Sequence, residues 1–257
     1  MGILNVTPDS FYDGGRFRNT SSIMRQVDQM LEEGATFIDV GAHSSRPDAD
    51  DVSLAEELQR ILPIVELIIK NFPDILLSID TFRSEVAKQC VDAGACLIND
   101  ISAGHLDNNM FETVAKLNVP YIMMHMRGTP KTMQRQTNYD DLLKEILFYF
   151  SERIEKARAS GIVDLVVDPG FGFAKTLEQN YELLNKLQLL KITDLPLLVG
   201  MSRKSMIYKA LGSSAEKALN GTTVLNTMAL QKGAGILRVH DVKEAVECVK
   251  LYNMLSC

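Results

Sequence analysis

Residues able to do chemistry recur at the ends of short apolar runs in this chain. Asn5 lies in GILNV and Asp39 in TFIDV; Asp80 follows ILLSI, and Asn99 and Asp100 close CLIND. His125 follows PYIMM, Asp168 closes DLVVD, Ser202, Arg203 and Lys204 lie just beyond LLVG, and Arg238 and His240 sit at ILRV. Ser44, Ser45 and Arg46 follow Asp39 within one loop. A strand meeting water accounts for any one polar end. Asp80, Asn99 and Asp168 together are harder to explain that way, because Asp and Asn disfavour strands. Carboxylates and amides converging on one mouth suit a flat, nitrogen-rich heterocycle, whose N–H groups and lone pairs lie in one plane. Each charge-assisted bond to such a ring contributes roughly twice a neutral one.

The cationic residues suggest a second function. Arg238-Val239-His240-Asp241 reads as an anion site, with Asp241 capping the last helix and Glu244 closing a capping box. The helix N-terminus, Arg238 and His240 would then face one anion. A metal on His240 is the weaker reading, since no second His lies within ligand spacing. Lys204 has two readings: a Schiff-base lysine, or an ammonium that hydrogen-bonds a carbonyl or ring nitrogen. The acidic run Asp48-Ala49-Asp50-Asp51 reads as a solvated loop with an adjoining N-cap, and His43, His105 and His125 as structural or surface residues.

The elements needed to hold these residues follow from hydrophobic patterning. Near-continuous apolar runs predict eight strands, near 2–6, 36–40, 75–79, 96–100, 120–124, 164–168, 197–200 and 236–239. Amphipathic patterns predict helices between and after them, near 20–33, 53–71, 83–93, 108–118, 139–160, 177–190, 215–232 and 241–254. Gly34, Gly94, Gly161 and Gly233 each follow a helix and shortly precede a strand, where a left-handed glycine ends helices. Eightfold strand–helix alternation is the pattern of an α/β fold of the (β/α)8 TIM-barrel type, expected here as a single domain over 1–257. The longer strand-to-helix loops, 6–19, 41–52 and 125–138, lie on the side that carries function in such barrels.

Composition narrows the partners. With 27 Lys and Arg against 33 Asp and Glu, the net charge is -6, and no basic run marks a nucleic-acid face. The densest cationic stretch, 201–209, holds only Arg203, Lys204 and Lys209. The apolar run Ile61–Ile69 is broken by Pro63 and Glu66 and reads as a core helix rather than a membrane span. No signal peptide is visible, and Cys90, Cys96, Cys248 and Cys257 form no CxxC pair, which fits a reduced, cytoplasmic compartment.

Seven segments carry a resemblance: MGILNVTPDSFYDGG (1–15), SIDTFRSEVA (78–87), INDISAG (98–104), MHMRGTPKTMQ (124–134), DPGFGFAKT (168–176), GMSRKS (200–205) and RVHDV (238–242). In this order, over essentially the whole chain, they resemble the dihydropteroate synthase family. The resemblance implies a transferase of folate biosynthesis that condenses 6-hydroxymethyl-7,8-dihydropterin diphosphate with p-aminobenzoate. It implies that Asp80, Asn99, Asp168 and Lys204 hold the pterin, that Ile101 and Met124 pack on its ring, and that Gly200 allows close approach. Asn5 would bind Mg2+ bridging the diphosphate, with Arg46, Arg238 and His240 completing the anion site. Phe11, Ser45, Pro47, Phe173 and Ser205 would line the aminobenzoate pocket, and Asp80, Lys204, Arg238 and His240 would serve catalysis. The first two loops would order over the diphosphate to exclude water. A homodimer is also implied.

The chain departs from the family's pattern at three places. The second loop reads HSSRPD (43–48) where ESTRPG is usual; Ser45 keeps the hydroxyl, while His43 replaces an acid, in the loop where sulfonamides and other aminobenzoate analogues would bind. Met1 opens the first strand, where relatives usually carry a short preceding segment, and Ala174 stands where Gly is common. Three other functions fit parts of the pattern: a methyltetrahydrofolate-binding corrinoid methyltransferase domain, a Schiff-base aldolase using Lys204, and a non-catalytic pterin binder. The first is not expected to carry SRKS together with RVHDV, and retention of both pterin and diphosphate residues disfavours the last.

Overall fold

The computed structural model describes residues 1–6, 16–43 and 52–255. Eight parallel strands occur at the expected places: β1 (Gly2–Asn5), β2 (Phe37–Gly41), β3 (Leu76–Asp80), β4 (Leu97–Asp100), β5 (Tyr121–Met124), β6 (Leu165–Asp168), β7 (Leu198–Val199) and β8 (Ile236–Leu237). Strands β1 to β6 pair in sequence order, and β7 pairs with β8. Single bridges, Val167 with Leu197 and Gly2 with Val239, join the two sheets on both sides and close the barrel. The last two strands are shorter than their apolar runs, although Arg238 N–H still donates to Val199 O at 2.9 Å in ladder fashion.

Strand parity separates the core from the site. Leu4, Ile38, Val40, Leu77, Ile79, Ile98, Tyr121, Met123, Leu165, Val167, Leu197, Val199 and Leu237 face outward, into the main apolar layer beneath the helices. Their alternates face the barrel axis. Near the amino ends these are Leu97, Ile122, Val166 and Leu198, packed with Met1, Phe37, Cys96 and Ile236 as an apolar floor. Two residues further along the same strands lie Asp39, Asn99, Met124, Asp168, Gly200 and Arg238. One period-two pattern thus builds a dry floor and a polar mouth.

Nine α-helices occur among the described residues: α1 (Arg16–Glu32), α2 (Leu54–Asn71), α3 (Ser84–Asp92), α4 (Met110–Leu117), α5 (Leu142–Ala159), α6 (Leu177–Asn185), α7 (Ser205–Ala210), α8 (Leu219–Gln231) and α9 (Val242–Met254). The α2 core face is Ile61, Val65 and Ile68, despite Pro63, and Ser53 caps it. Gly34, Gly94, Gly161 and Gly233 all adopt φ between 97° and 112°, the left-handed helix stop expected of them. The expected 177–190 helix ends at Asn185 and continues as a 3-10 segment, Leu187–Thr193. The six-residue α7 was not anticipated, being too short to show periodicity. No described helix is long and apolar enough to cross a membrane.

Candidate active site

The mouth of the barrel centres on Asp39. Its side chain is fully buried and accepts from Ser78 Oγ at 2.6 Å, Asn99 Nδ2 at 3.0 Å and Arg238 Nε at 2.6 Å. Arg238 extends its Nη2 to Asp80 Oδ2 at 2.6 Å, so one guanidinium bridges the ends of β2, β3 and β8. Burial pushes the Asp80 carboxyl up to about 7, against the opposing pull of Arg238. Below Asp80, fully buried Glu57 of α2 takes the Thr81 hydroxyl at 2.8 Å and pairs with Arg83, fixing the start of the loop after β3.

Across the barrel, Asp168 is nearly buried and accepts from Gly170 N–H at 2.8 Å. Burial raises its pKa, and Lys204 is the main opposing charge. Lys204 stands at the N-cap position of α7; its Nζ donates to Phe171 O at 2.6 Å and lies 4.8 Å from the centroid of Phe173. Burial lowers this lysine to about 8, with Asp168 holding it up. A Cβ on Gly200 would stand 3.8 Å from Arg238 Cβ and 3.9 Å from Lys204 Nζ, so glycine keeps the gap between the two cations open. Ile101 and Met124 form an apolar wall with Met126, Met133 and Ala174, against which Phe82, Leu106 and Phe173 pack. Ser205 is half-buried at the first turn of α7, and Asn5 is exposed at the end of β1.

Asp80, Asn99, Ile101, Met124, Asp168, Gly200, Lys204 and Arg238 therefore meet in one mouth, with Phe173 at its edge. Phe11, Ser45, Arg46 and Pro47 lie outside the described residues, as does the Asp48–Asp51 run. Two local expectations are corrected. Asp241 makes no side-chain cap on α9. It takes both Nε and Nη2 of Arg203, at 2.8 and 2.7 Å, because an ion pair outweighs a backbone N–H for the same carboxylate. Arg203, held at φ 56°, also reaches Ala215 O and Glu216 O, tying the loop after β7 to the start of α9. Asp100 faces outward and is consumed by Tyr121 OH, Ser102 and Gly104 N–H, so it belongs to the scaffold.

His240 lies exposed beside the mouth, its Nδ1 3.0 Å from Ser202 Oγ. Loss of hydration on its inner side, and then the Arg238 charge, lower its pKa to about 4. His125 is buried and structural as expected, with Tyr149 edge-on at 4.8 Å. Its partner, buried Lys175, had no assigned role; a lysine after a glycine-rich turn leaves no periodic signal. Ala174 adopts φ 49°, a left-handed conformation that glycine takes at lower cost.

Residues 1–240 match the family model described as pterin binding enzyme. The chain is 45% identical to a dihydropteroate synthase of Escherichia coli (strain K12) over 253 residues, 98% of this chain and 89% of that protein. It is equally 45% identical to a dihydropteroate synthase of a Synechocystis strain, covering 99% of this chain and 89% of the relative. Among solved structures, a Yersinia pestis dihydropteroate synthase in a sulfonamide drug complex superposes with a TM-score of 0.93 at 45% identity, covering 100% of this chain and 93% of that one. A Xanthomonas albilineans dihydropteroate synthase with 4-aminobenzoic acid gives a TM-score of 0.93 at 38% identity, covering 100% and 92%. Barrel, motif order and near-complete coverage agree: the chain belongs to the pterin binding enzyme family.

Proposed function

We propose that this protein is a dihydropteroate synthase, joining 6-hydroxymethyl-7,8-dihydropterin diphosphate to p-aminobenzoate with release of diphosphate. The observation that carries this is the slot at the barrel mouth: Asp80, Asn99, Asp168 and Lys204 face the axis beside the Ile101–Met124 wall. A planar heterocycle lying on that wall presents its edge to all four. Asp168 accepts from the pterin's 2-amino and ring N–H groups, Lys204 meets the carbonyl side, and Asn99, held by Asp39, supplies an oriented amide. The corrinoid and aldolase readings are disfavoured by similarity to dihydropteroate synthases over 98% of the chain.

The chemistry is a substitution at the pterin methylene. The C–O bond to diphosphate breaks with its electron pair leaving on oxygen. The electron-rich dihydropterin shares the resulting positive charge, which Asp80 is placed to stabilise. The neutral arylamine nitrogen then forms the C–N bond and releases its proton, so no strong general base is needed. Phe173 and Ser205 line the arylamine side, together with Phe11, Ser45 and Pro47. Arg46, Arg238 and His240 bind the diphosphate.

The residues present fit a magnesium ion. Mg2+ keeps several waters and takes one or two protein oxygens plus substrate phosphates. Asn5 offers an exposed amide at the end of β1, and Asn5 and the diphosphate would hold the ion together. When bound, the ion would offset charge on the leaving group. The same reading carries a homodimer in the cytoplasm. Exposed Leu251, Met254 and Leu255 flank a groove between α8 and α9, an apolar surface of the kind subunits cover. Light scattering on the purified protein tests the dimer.

The activity is tested by incubating the protein with Mg2+, the pterin diphosphate and p-aminobenzoate. Diphosphate release should depend on the arylamine and match dihydropteroate formed, and a sulfonamide should compete with the arylamine. Release that ignores the arylamine, or no release, would sink the proposal.

A further inference from the structure

The turn between β6 and α6 keeps one backbone bond, Phe173 N–H to Gly170 O at 3.1 Å, and its carbonyls otherwise need other donors. Side chains supply them one after another. Gly170 O takes Lys175 Nζ at 2.9 Å, Phe171 O takes Lys204 Nζ at 2.6 Å, and Gly172 O takes Gln134 Nε2 at 3.3 Å. Phe173 O takes Lys175 Nζ again at 3.0 Å, and Ala174 O takes Tyr139 OH at 2.9 Å. Lys175 is the donor that serves two carbonyls, and its third bond reaches His125 Nδ1, just past β5, at 3.0 Å. It is buried, and its ammonium is taken up by the turn's own carbonyls and His125.

An ammonium has three donors, and this site offers three acceptors. Burial lowers Lys175 to about 7. The neutral amine can still bond both carbonyls, while its lone pair accepts from His125 in the other tautomer, so the strut persists in either state. Its two carbonyls bracket Phe171 and Gly172, which fixes the backbone that presents the Phe173 ring.

We infer that Lys175 is a positioning residue for the arylamine half of the site, acting through Phe173. The inference rests on the proposed synthase activity. In Lys175→Met, KM for p-aminobenzoate should rise about tenfold, with KM for the pterin diphosphate changing less than about threefold. In a Phe173→Leu background the same substitution should add less than about twofold, because its effect passes through that ring. If Lys175→Met fails to fold, Lys175→Gln, which keeps a smaller donor set and should raise the arylamine KM in the same sense but by less, replaces it in the same cycle. An unchanged arylamine KM, an equal rise in both KM values, or fully additive effects would overturn the inference while leaving the activity standing. A wild-type protein that forms no dihydropteroate would overturn the activity and the inference with it.

Discussion

Removing Asp39 should weaken the fold and, at the same time, make its neighbour Asp80 a stronger acid. Asp39 is fully buried and accepts from Ser78, Asn99 and Arg238. Asp39→Ala strands all three donors. Breaking a buried ion pair by deleting one partner costs about 3–5 kcal/mol. Arg238 keeps Asp80 at 2.6 Å, which places the expected loss near the lower end, about 3 kcal/mol. For a chain of this size, that lowers Tm by roughly 6–12 °C. Asp39→Asn should cost less, about 1–2 kcal/mol, because its amide can turn to present oxygen to Arg238 and Asn99 and N–H to the Ser78 hydroxyl. The Asp39 charge is also one cause of the raised Asp80 pKa. Both variants should therefore bring Asp80 below about 7, and the acid limb of pterin binding should move to lower pH. Thermal melts and calorimetric pterin titrations across pH 5–9 read the two effects separately. A Tm for Asp39→Ala within about 2 °C of wild type, or an acid limb that stays in place, would refute the reasoning.

Four further outcomes are expected. Gly170→Ala puts a Cβ at φ 70°, 2.1 Å from His125 O, so the turn must shift and kcat/KM should fall about tenfold or more; wild-type kinetics would contradict the geometry. Asp241→Asn, which could still cap a helix but not pair with Arg203, should destabilise the protein by about 1 kcal/mol on urea denaturation, whereas an unchanged midpoint would restore the capping role. Lys204 loses its proton near 8, so the binding that depends on its ammonium is present below that pH and lost above it. That alkaline limb should vanish in Lys204→Met, and its persistence would assign it elsewhere. Chelating Mg2+ should weaken binding of the pterin diphosphate but not of the pterin alcohol lacking diphosphate; equal affinities with and without the ion would remove the metal from the proposal.

The barrel was legible because one physical signal repeats eight times, an apolar run too short for a helix followed by a helical stripe, and in four of the repeats a glycine stops the helix. The mouth was legible for a related reason. Asp80, Asn99 and Asp168 violate strand propensity, and a residue tolerated against propensity usually has a partner or a task. Side-chain direction was less accessible. Asn99 and Asp100 are adjacent and equally polar, yet parity sends one into the mouth and the other to Tyr121 behind the sheet. Asp241 looked like a cap because only local sequence was in view; its actual partner, Arg203, is 38 residues away. Lys175 and Asp39 act on backbone carbonyls and on other side chains, and such roles depend on contacts that no spacing encodes.

The charges at the mouth explain why two kinds of ligand need two kinds of recognition. Among the described residues, Asp39, Asp80 and Asp168 face Arg238, Lys204 and, behind them, Lys175. Burial pushes Asp80 up to about 7 and Lys175 down to about 7, disfavouring the charged form of each. A neutral pterin can enter such a site without adding net charge, and it is read by the direction of its hydrogen bonds. The diphosphate has no such reservoir to draw on. Arg238 has already given Nε and Nη2 to carboxylates, and His240, at about 4, brings no charge. In the proposed reaction, positive charge for the diphosphate would come largely from other groups, the roles proposed for Arg46 and for an ion on Asn5. Electrostatic stabilisation of the leaving group would then be assembled when the substrate binds, while the pterin slot is already organised without it.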